Sequence, residues 1–292
     1  MFPQLEIGAD PEGAARYARE IERMGFDGVA VFDHVLGAHP DRPGGWSGPY
    51  THESLFHEPF VLYGYLAAIT TRLELVTSVI ILPQRQAALV AKQAAEVDVL
   101  SRGRLRLGVG LGWNAVEYEA LGEDFHTRGS RIQEQIAVMR KLWSEELVEH
   151  RGKRIRVSRA GLNPMPVQRP IPLWMGGGYN ARAKEVIRPA LARIARTADG
   201  WLTHVQPGDE GRVAIDLFRE LVREAGRDAA TVGLEGRVSA ATTPRDEWPR
   251  HVAWWREAGA THVELNTMGA KYGSIDEHLA ALEHFLAVAR KP

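Results

Sequence analysis

Two residues at the end of a predicted strand have side chains that could transfer protons. Asp33 and His34 close the apolar run Asp27–His34, and a long loop rich in glycine and proline follows them. A histidine beside a carboxylate can act as an acid, a base or a hydrogen-bond donor. The spacing alone also allows a pair that only makes local caps at the strand end, so both interpretations stay open.

Polar residues also interrupt the next apolar strand. Thr77 and Ser78, followed by Val79, lie within the run Leu73–Leu82. Hydroxyl groups in a buried strand either contact a ligand or are satisfied by neighbouring backbone groups. The pattern by itself allows either role for these three residues.

Glycines at the end of a further predicted strand could let the backbone approach a ligand closely. This segment, GVGLGWN, covers Gly108–Asn114 and includes Gly110. It resembles the dinucleotide-binding pattern G-x-G-x-x-G only superficially, because Trp113 occupies the sixth position. The segment therefore gives weak support for a nucleotide site.

Three consecutive glycines form another candidate site. Gly176, Gly177 and Gly178 end a predicted strand, and Tyr179 and Asn180 are expected to open the next helix. Unpaired backbone N–H groups and the positive end of a helix suit a phosphate group. A plain flexible turn between strand and helix is the alternative.

The candidate residues lie at the ends of strands in a repeated strand–helix pattern. Eight such units are predicted. Strands separated by helices are expected to pair in parallel through right-handed crossovers. Their strands begin at Gln4 and cover Asp27–His34, Leu73–Leu82, Arg104–Gly112, Pro172–Gly178, Gly200–Val205, Thr231–Ala240 and Thr261–Thr267. Eight units close naturally into a barrel. We therefore expect an α/β protein, a (β/α)8 TIM barrel; an open doubly wound sheet is the alternative.

Two connections exceed ordinary loop length and predict insertions after strands 2 and 4 of the barrel. They are Val35–His57 and Leu147–Ile171. Long loops in compact domains tend to bind ligands or act as lids, and the first follows the carboxyl end of a strand, where barrels place their active sites. No linker or low-complexity tract interrupts the pattern, so we expect one domain over residues 1–292.

Charge and composition exclude several classes of protein. The 36 Lys and Arg residues nearly balance 37 Asp and Glu residues, which gives no electrostatic reason to expect a nucleic acid or membrane partner. The absence of cysteine excludes disulfides, thiolate metal sites and cysteine nucleophiles. The first residues lack a signal-peptide pattern, and no apolar run is long enough to span a membrane. We expect a cytoplasmic protein.

Several segments in one order resemble the luciferase-like monooxygenase superfamily, most closely its branch that uses the deazaflavin coenzyme F420. The similarity covers nearly the whole chain and is weakest after about Asp209. The matching segments are FDH (Phe32–His34), EPF (Glu58–Phe60), TSV (Thr77–Val79), LSRGRLRLGVGLGWN (Leu100–Asn114), EYEALG (Glu117–Gly122), FHTRGSRIQEQIAVMRKLW (Phe125–Trp143) and ADGW (Ala198–Trp201).

The resemblance implies a barrel that binds a flavin or deazaflavin at the carboxyl ends of its strands. It implies a cis peptide bond between Ser78 and Val79, forming a bulge behind the cofactor ring, and it places the cofactor phosphate at the glycine turn. His34 and Asp33 are then the predicted catalytic residues. The predicted cofactor-binding residues are His34, Thr77, Ser78, Val79, Gly110, Asn114, Gly176, Gly177, Gly178, Tyr179 and Asn180. No metal site is expected, and the resemblance implies a homodimer.

The predicted function is hydride transfer between coenzyme F420 and a small organic substrate. Leu111 stands where the sugar-phosphate dehydrogenases of this branch carry a catalytic glutamate, which argues against sugar dehydrogenation. With reduced FMN instead, the protein would be a monooxygenase that inserts oxygen into an organic substrate.

Two further alternatives lie outside flavin-type redox catalysis. One is a metal-dependent barrel isomerase or hydrolase, and the other is a cofactor-binding protein without catalysis. The metal-dependent enzyme would use His34, Glu58, His204 and Glu264, each near a predicted strand end or its loop.

Overall fold

Helices and strands alternate along the chain in this computed structural model, which describes residues 1–290. The strands are β1 (Gly28–Val31), β2 (Glu74–Thr77), β3 (Ile80–Ile81), β4 (Leu105–Gly110), β5 (Val148–Arg151), β6 (Arg156–Ala160), β7 (Leu173–Gly176), β8 (Tyr179–Asn180), β9 (Glu185–Val186), β10 (Gly200–Leu202), β11 (Gly233–Ser239) and β12 (His262–Asn266). The α-helices are α1 (Gln4–Ile7), α2 (Pro11–Met24), α3 (Pro59–Ile69), α4 (Ala87–Ser101), α5 (Ala115–Ala120), α6 (Arg128–Ser144), α7 (Arg188–Thr197), α8 (Asp209–Glu224), α9 (Trp248–Glu257) and α10 (Ile275–Ala289).

The chain forms two compact units. The central unit is Val31–Pro172, and the discontinuous unit combines Met1–Ala30 with the chain from Leu173 onward. In the central unit, β2 and β3 both pair in parallel with β4. In the discontinuous unit, β10 pairs in parallel with β7 and β11, and β11 pairs in parallel with β12. Parallel strands joined by helices confirm the predicted α/β class.

Local sequence signals account for the bounds of α2. The Asp10 side chain accepts the N–H of Glu12, Pro11 occupies the first turn, and Gly25 ends the helix with φ of 94°. These are the residue types that begin and end helices. The helix covers Pro11–Met24.

Large aromatic side chains fill the interiors of the two units. Trp143 is fully buried in the central unit, where its indole N–H donates to the carbonyl of Ala91. In the discontinuous unit, the indole of Trp174 lies so close to β10 and β11 that a Cβ at Gly200 or Gly233 would come within 2.3 Å of it. Glycine is therefore required at these two strand positions.

The prediction of a strand beginning at Gln4 is wrong, because these residues form α1. Pro3 precedes this helical turn, and proline cannot donate to a strand ladder but suits the start of a helix. The two residues before it still bond to strands. The Met1 amino group donates to the carbonyl of Leu265 at 2.9 Å, and the Phe2 N–H donates to that of Ala30 at 2.8 Å.

The prediction that Tyr179 and Asn180 open a helix is also wrong. They form β8, which pairs in an antiparallel hairpin with β9, and α7 begins only at Arg188. The Asn180 side chain accepts the N–H groups of Arg182 and Ala183. This Asx-type turn competes with helix formation at that point of the chain.

The predicted strand Leu73–Leu82 is divided in two. Ser78 and Val79 lie between β2 and β3 and are joined by a cis peptide bond, as the resemblance implied.

The two long connections differ in local structure. Val35–His57 contains an isolated bridge between Ala38 and Thr51, whereas Leu147–Ile171 contains the antiparallel hairpin β5–β6. Within residues 1–290, no helix is long and apolar enough to cross a membrane.

Candidate active site

His34 is held by a buried carboxylate in the central unit. Its Nδ1 lies 3.0 Å from Oε1 of Glu117, whose side chain is 1% exposed. The same oxygen accepts the backbone N–H of Val35 at 3.1 Å. Since Oε1 already accepts one hydrogen and Glu117 as a carboxylate has none to donate, we assign the imidazole proton to Nδ1. The other ring nitrogen, Nε2, has no hydrogen-bond partner among residues 1–290 and is left to accept or donate a proton.

Glu117 also has a third donor, which stabilises its charge and bonds to the oxygen that His34 does not use. The Gln84 amide nitrogen lies 3.2 Å from Oε2. A buried carboxylate is costly unless several donors surround it. Here a backbone N–H, an amide and an imidazole meet this requirement, so Glu117 fixes both the position and the orientation of the His34 ring.

Asp33 belongs to a second ionic group beside His34. Its Oδ1 accepts from Arg85 at 2.8 Å and its Oδ2 accepts the N–H of Ile81 at 3.0 Å. Arg85 also donates to Glu58 at 3.1 Å. Burial raises the pKa of Asp33, while the Arg85 guanidinium and the Ile81 N–H act in the opposite direction. Asp33 therefore ties β1 to the start of β3, and its carboxylate is taken up by structural contacts.

The residues around the cis peptide bond pack tightly against β4. A Cβ at Gly110 would lie 2.5 Å from the Val79 side chain, so only glycine allows this approach. The Thr77 hydroxyl donates to the carbonyl of Gly108 at 2.7 Å. The Thr77 side chain is therefore satisfied by backbone, which was the alternative to a ligand contact. Ser78 is buried, and its amide donates to the carbonyl of Val31 at 2.7 Å.

Asn114 begins α5 as its N-cap. Its side-chain oxygen accepts the N–H of Val116 at 3.1 Å, and the residue is 3% exposed. The cap positions the helix that carries Glu117. Asn114 therefore acts on the site through Glu117, and its amide nitrogen has no hydrogen-bond partner among residues 1–290.

The glycine turn of the discontinuous unit presents backbone donors. Gly177 has φ of 111°, and a Cβ there would meet nothing within 4 Å. Its carbonyl accepts the indole N–H of Trp201, and the carbonyl of Gly178 accepts the N–H of Ile187. The N–H groups of Gly177 and Gly178 have no partner among residues 1–290. An open turn with unpaired N–H groups suits an anion.

The residues beside this turn have structural contacts of their own. Gly176 ends β7, and Tyr179 is buried at the start of β8, where burial raises the pKa of its hydroxyl. The Asn180 side-chain oxygen accepts two backbone N–H groups of the hairpin. Neither Tyr179 nor Asn180 supplies a helix N-terminus to an anion, because α7 begins at Arg188.

The four residues considered for a metal site are divided between the two units, and three of them bond to other side chains. His34 contacts Glu117 and Glu58 contacts Arg85. In the discontinuous unit, Glu264 pairs with Arg237 at 3.1 Å. The described residues contain no group of three or more His, Cys, Asp or Glu side chains that could hold a metal ion.

Glu117 and Arg85 are the site residues that sequence reasoning missed. Glu117 lies within the EYEALG segment and Arg85 follows the apolar strand, but neither has a partner nearby in sequence. Glu117 is 83 residues from His34, and Arg85 is 52 residues from Asp33. A glutamate on the buried side of α5 is the one signal that could have drawn attention to this position.

The chain is similar to known proteins over almost its whole length. A family profile described as luciferase-like monooxygenase matches residues 3–289. An uncharacterized protein of Mycobacterium tuberculosis is 31% identical over 286 residues, which cover 96% of this chain and 94% of that protein. An F420-dependent glucose-6-phosphate dehydrogenase of Segniliparus rotundus is 30% identical over 250 residues, covering 82% of this chain and 67% of that enzyme.

A solved structure shares the fold. It is an F420-dependent secondary alcohol dehydrogenase in complex with an F420-acetone adduct, with a TM-score of 0.78 and 19% sequence identity. The match covers 99% of this chain and 98% of that one.

Proposed function

The chain belongs to the luciferase-like monooxygenase family, and we propose that it is an oxidoreductase that transfers a hydride between coenzyme F420 and a small organic substrate. F420-dependent enzymes among its relatives and structural neighbours support the choice of coenzyme. The observation that carries the proposal is the His34–Glu117 pair at the end of a strand, with Nε2 of His34 left to exchange a proton.

Each unit, taken by itself, has residues that fit one part of a cofactor with a ring and a phosphate. Ser78 and Val79 would support the ring, since the Val79 side chain packs on β4 at Gly110 so closely that a Cβ is not tolerated there. The N–H groups of Gly177 and Gly178 would hold the phosphate, because the space beside Gly177 is open. Bound there, the deazaflavin supplies the hydride chemistry, which protein side chains lack.

The protein side chains would supply the proton and its control. Nε2 of His34 takes a proton from a substrate hydroxyl or returns one to a carbonyl oxygen. Glu117 keeps the hydrogen on Nδ1 and stabilises the imidazolium that forms when Nε2 accepts a proton. Asp33 is a positioning residue in this scheme, because Arg85 and Ile81 occupy its oxygens.

A titration tests the proposal. Purified protein is titrated separately with coenzyme F420, with FMN, and with zinc or manganese ions, and binding is followed by absorbance and fluorescence of the added compound. We expect saturable binding of F420 that is tighter than that of FMN. Tighter binding of reduced FMN with oxygen consumption would instead support the monooxygenase alternative, which the family description keeps open. Binding of a metal ion without either flavin would overturn both.

We propose that the strand–helix units close into a (β/α)8-type barrel of one domain, with insertions after its second and fourth strands. The position of the first residues supports closure in the discontinuous unit. Met1 bonds to Leu265 of β12 and Phe2 bonds to Ala30 of β1. These two residues therefore take the place of a first barrel strand.

We further propose a cytoplasmic homodimer. The face of α3 and α4 in the central unit supports the assembly, because it leaves apolar side chains uncovered. Val61 is 73% exposed and Tyr65 42% exposed on α3, and Leu89 is 51% and Leu100 54% exposed on α4. No residue of α3 is charged, and a helix that is apolar on all sides is normally covered.

A further inference from the structure

Aromatic rings surround the imidazole of His34. The ring centroid of Phe56 lies 4.6 Å away, that of Tyr50 lies 5.0 Å away and that of Trp113 lies 5.8 Å away. Tyr50 and Phe56 belong to the long connection after β1, whereas Trp113 follows β4. The imidazole of His34 is therefore placed in apolar surroundings made by two different segments.

A second layer holds these rings in place. Trp46 stacks on Trp113 with ring centroids 5.8 Å apart, and its indole N–H donates to the carbonyl of Tyr50 at 2.7 Å. A Cβ at Gly48 would lie 2.3 Å from Trp46 and 3.0 Å from Trp113, so the backbone there lies against both indoles. These contacts hold the rings in place, which lowers the entropic cost of binding a ligand.

Apolar surface next to His34 is left uncovered. Trp113 is 46% exposed, and Val35 and Leu36, which follow His34 directly, are 44% and 37% exposed. Exposed apolar side chains beside a polar reactive group are typical of a ligand-binding site. The exposed area favours an apolar molecule as the occupant.

The arginine of the long connection after β1 and the arginine that bonds to Asp33 are already in ion pairs. Arg42 contacts Glu119, and Arg85 contacts Asp33 and Glu58. Glu117 accepts from three donors. A phosphate or carboxylate placed beside His34 would lose hydration and would have to compete with these partners for a cation.

We propose that Tyr50, Phe56 and Trp113 form the substrate box, and that they select a small, uncharged and largely apolar alcohol or the corresponding carbonyl compound. The oxygen of the substrate would bond to Nε2 of His34, and its apolar part would lie against the three rings. The proposal rests on the proposed function, which supplies the redox step. It differs from that function in naming the substrate class, and it excludes sugar phosphates.

Ligand binding and turnover, measured on the F420-loaded protein, test the box. Binding of 1-phenylethanol, acetophenone and glucose 6-phosphate is followed by ligand-observed NMR, and turnover by the absorbance change of the coenzyme. We expect binding of the two uncharged compounds and none of glucose 6-phosphate at equal concentration. Phe56→Ala and Trp113→Ala should each weaken binding of the uncharged compounds by about tenfold, the scale of a lost aromatic contact. Leu55→Ala, an exposed neighbour on the same loop, is the matched control and should bind them as the wild type does.

The outcomes separate the box from the proposed function. Binding of glucose 6-phosphate without the uncharged compounds would overturn the box, as would equal binding of the uncharged compounds by the Phe56→Ala and Trp113→Ala variants. In both cases an unchanged affinity for F420 would leave the proposed function standing. Failure of the wild-type protein to bind F420 would overturn the proposed function itself, whatever the alcohols do.

Discussion

At the scale of single residues, the site depends on one imidazole nitrogen. Glu117 engages Nδ1 of His34, so Nε2 is the atom that exchanges protons with a substrate. The ring follows β1, and its side chain is 12% exposed. Since Nε2 makes no hydrogen bond within residues 1–290, the role of His34 is expected in turnover rather than in folding.

The His34→Ala variant tests this role. We expect turnover to fall by about 10²–10⁴-fold, the usual contribution of a general acid or base. The melting temperature should change little, because Glu117 keeps the Val35 and Gln84 donors. Steady-state kinetics and thermal unfolding measure the two effects, with His39→Ala in the same loop as control. Full turnover in His34→Ala would show that His34 has only a local structural role.

Glu117→Gln separates positioning from catalysis. The amide keeps the shape of the side chain but brings its own donor toward three donors, so we expect a loss of about 1–3 kcal/mol in the free energy of unfolding. Without the negative charge the imidazolium that forms on proton transfer is less stable, so we expect turnover to fall while KM changes little. The control is Glu119→Gln on the same helix, where the side chain is 74% exposed. Unchanged turnover would contradict a role of Glu117 in proton transfer.

At the scale of elements, the turn after β7 is the predicted phosphate site. Gly177→Val adds a side chain to a residue with φ of 111°, where a β-branched residue is strained, although the space is open. We expect a folded protein, shown by circular dichroism, with weaker binding of coenzyme F420. Fluorescence titration should show that binding of a deazaflavin without phosphate is less affected. Equal affinity of the wild type for coenzyme F420 and for the deazaflavin without phosphate would show that this turn does not bind the phosphate.

The burial of His278 on α10 predicts a pH-dependent stability. Its Nδ1 lies 2.8 Å from the Thr267 hydroxyl, the residue is fully buried, and burial lowers its pKa to about 4. The unfolded chain takes up a proton near pH 6.5 and the folded chain only near pH 4. The contribution of His278 to the free energy of unfolding is therefore complete above pH 6.5. It falls as the pH drops toward 4, by about 3 kcal/mol at most.

Denaturant unfolding between pH 4 and pH 7 measures this effect. We expect the His278→Leu variant to lose less stability over this range than the wild type. His284→Leu, at an exposed position of the same helix, should retain the wild-type dependence on pH. Identical slopes for the wild type and His278→Leu would assign the acid sensitivity to other groups.

At the scale of the whole molecule, the exposed apolar face of α3 and α4 predicts self-association. Val61→Glu places a charge on this face, where burial in an interface would leave it unpaired. We expect light scattering to give twice the chain mass of 32.4 kDa for the wild type and the mass of one chain for Val61→Glu. Val213→Glu on α8, where Val213 is 66% exposed, is the control and should stay dimeric. A monomeric wild type would contradict the proposed assembly.

Patterns carried by neighbouring residues were sufficient to predict most of the elements. The bounds of α2 follow from Asp10, Pro11 and Gly25, and the apolar runs that contain β4 and β11 were recognised as strands. These signals are local, because capping and strand periodicity depend on residues only a few positions apart. The resemblance to a family added the cis peptide bond after Thr77, which composition and periodicity do not reveal.

Tertiary structure decided what depends on residues far apart in the chain. The sequence singled out His34 by itself, but its partner Glu117 is 83 residues away, and only folding brings the two side chains together. The segments at Gln4 and at Tyr179 were mispredicted because Pro3 and the Asn180 turn override a weak apolar pattern. Side-chain partners depend on how distant elements pack, and strand and helix patterns carry no record of that packing.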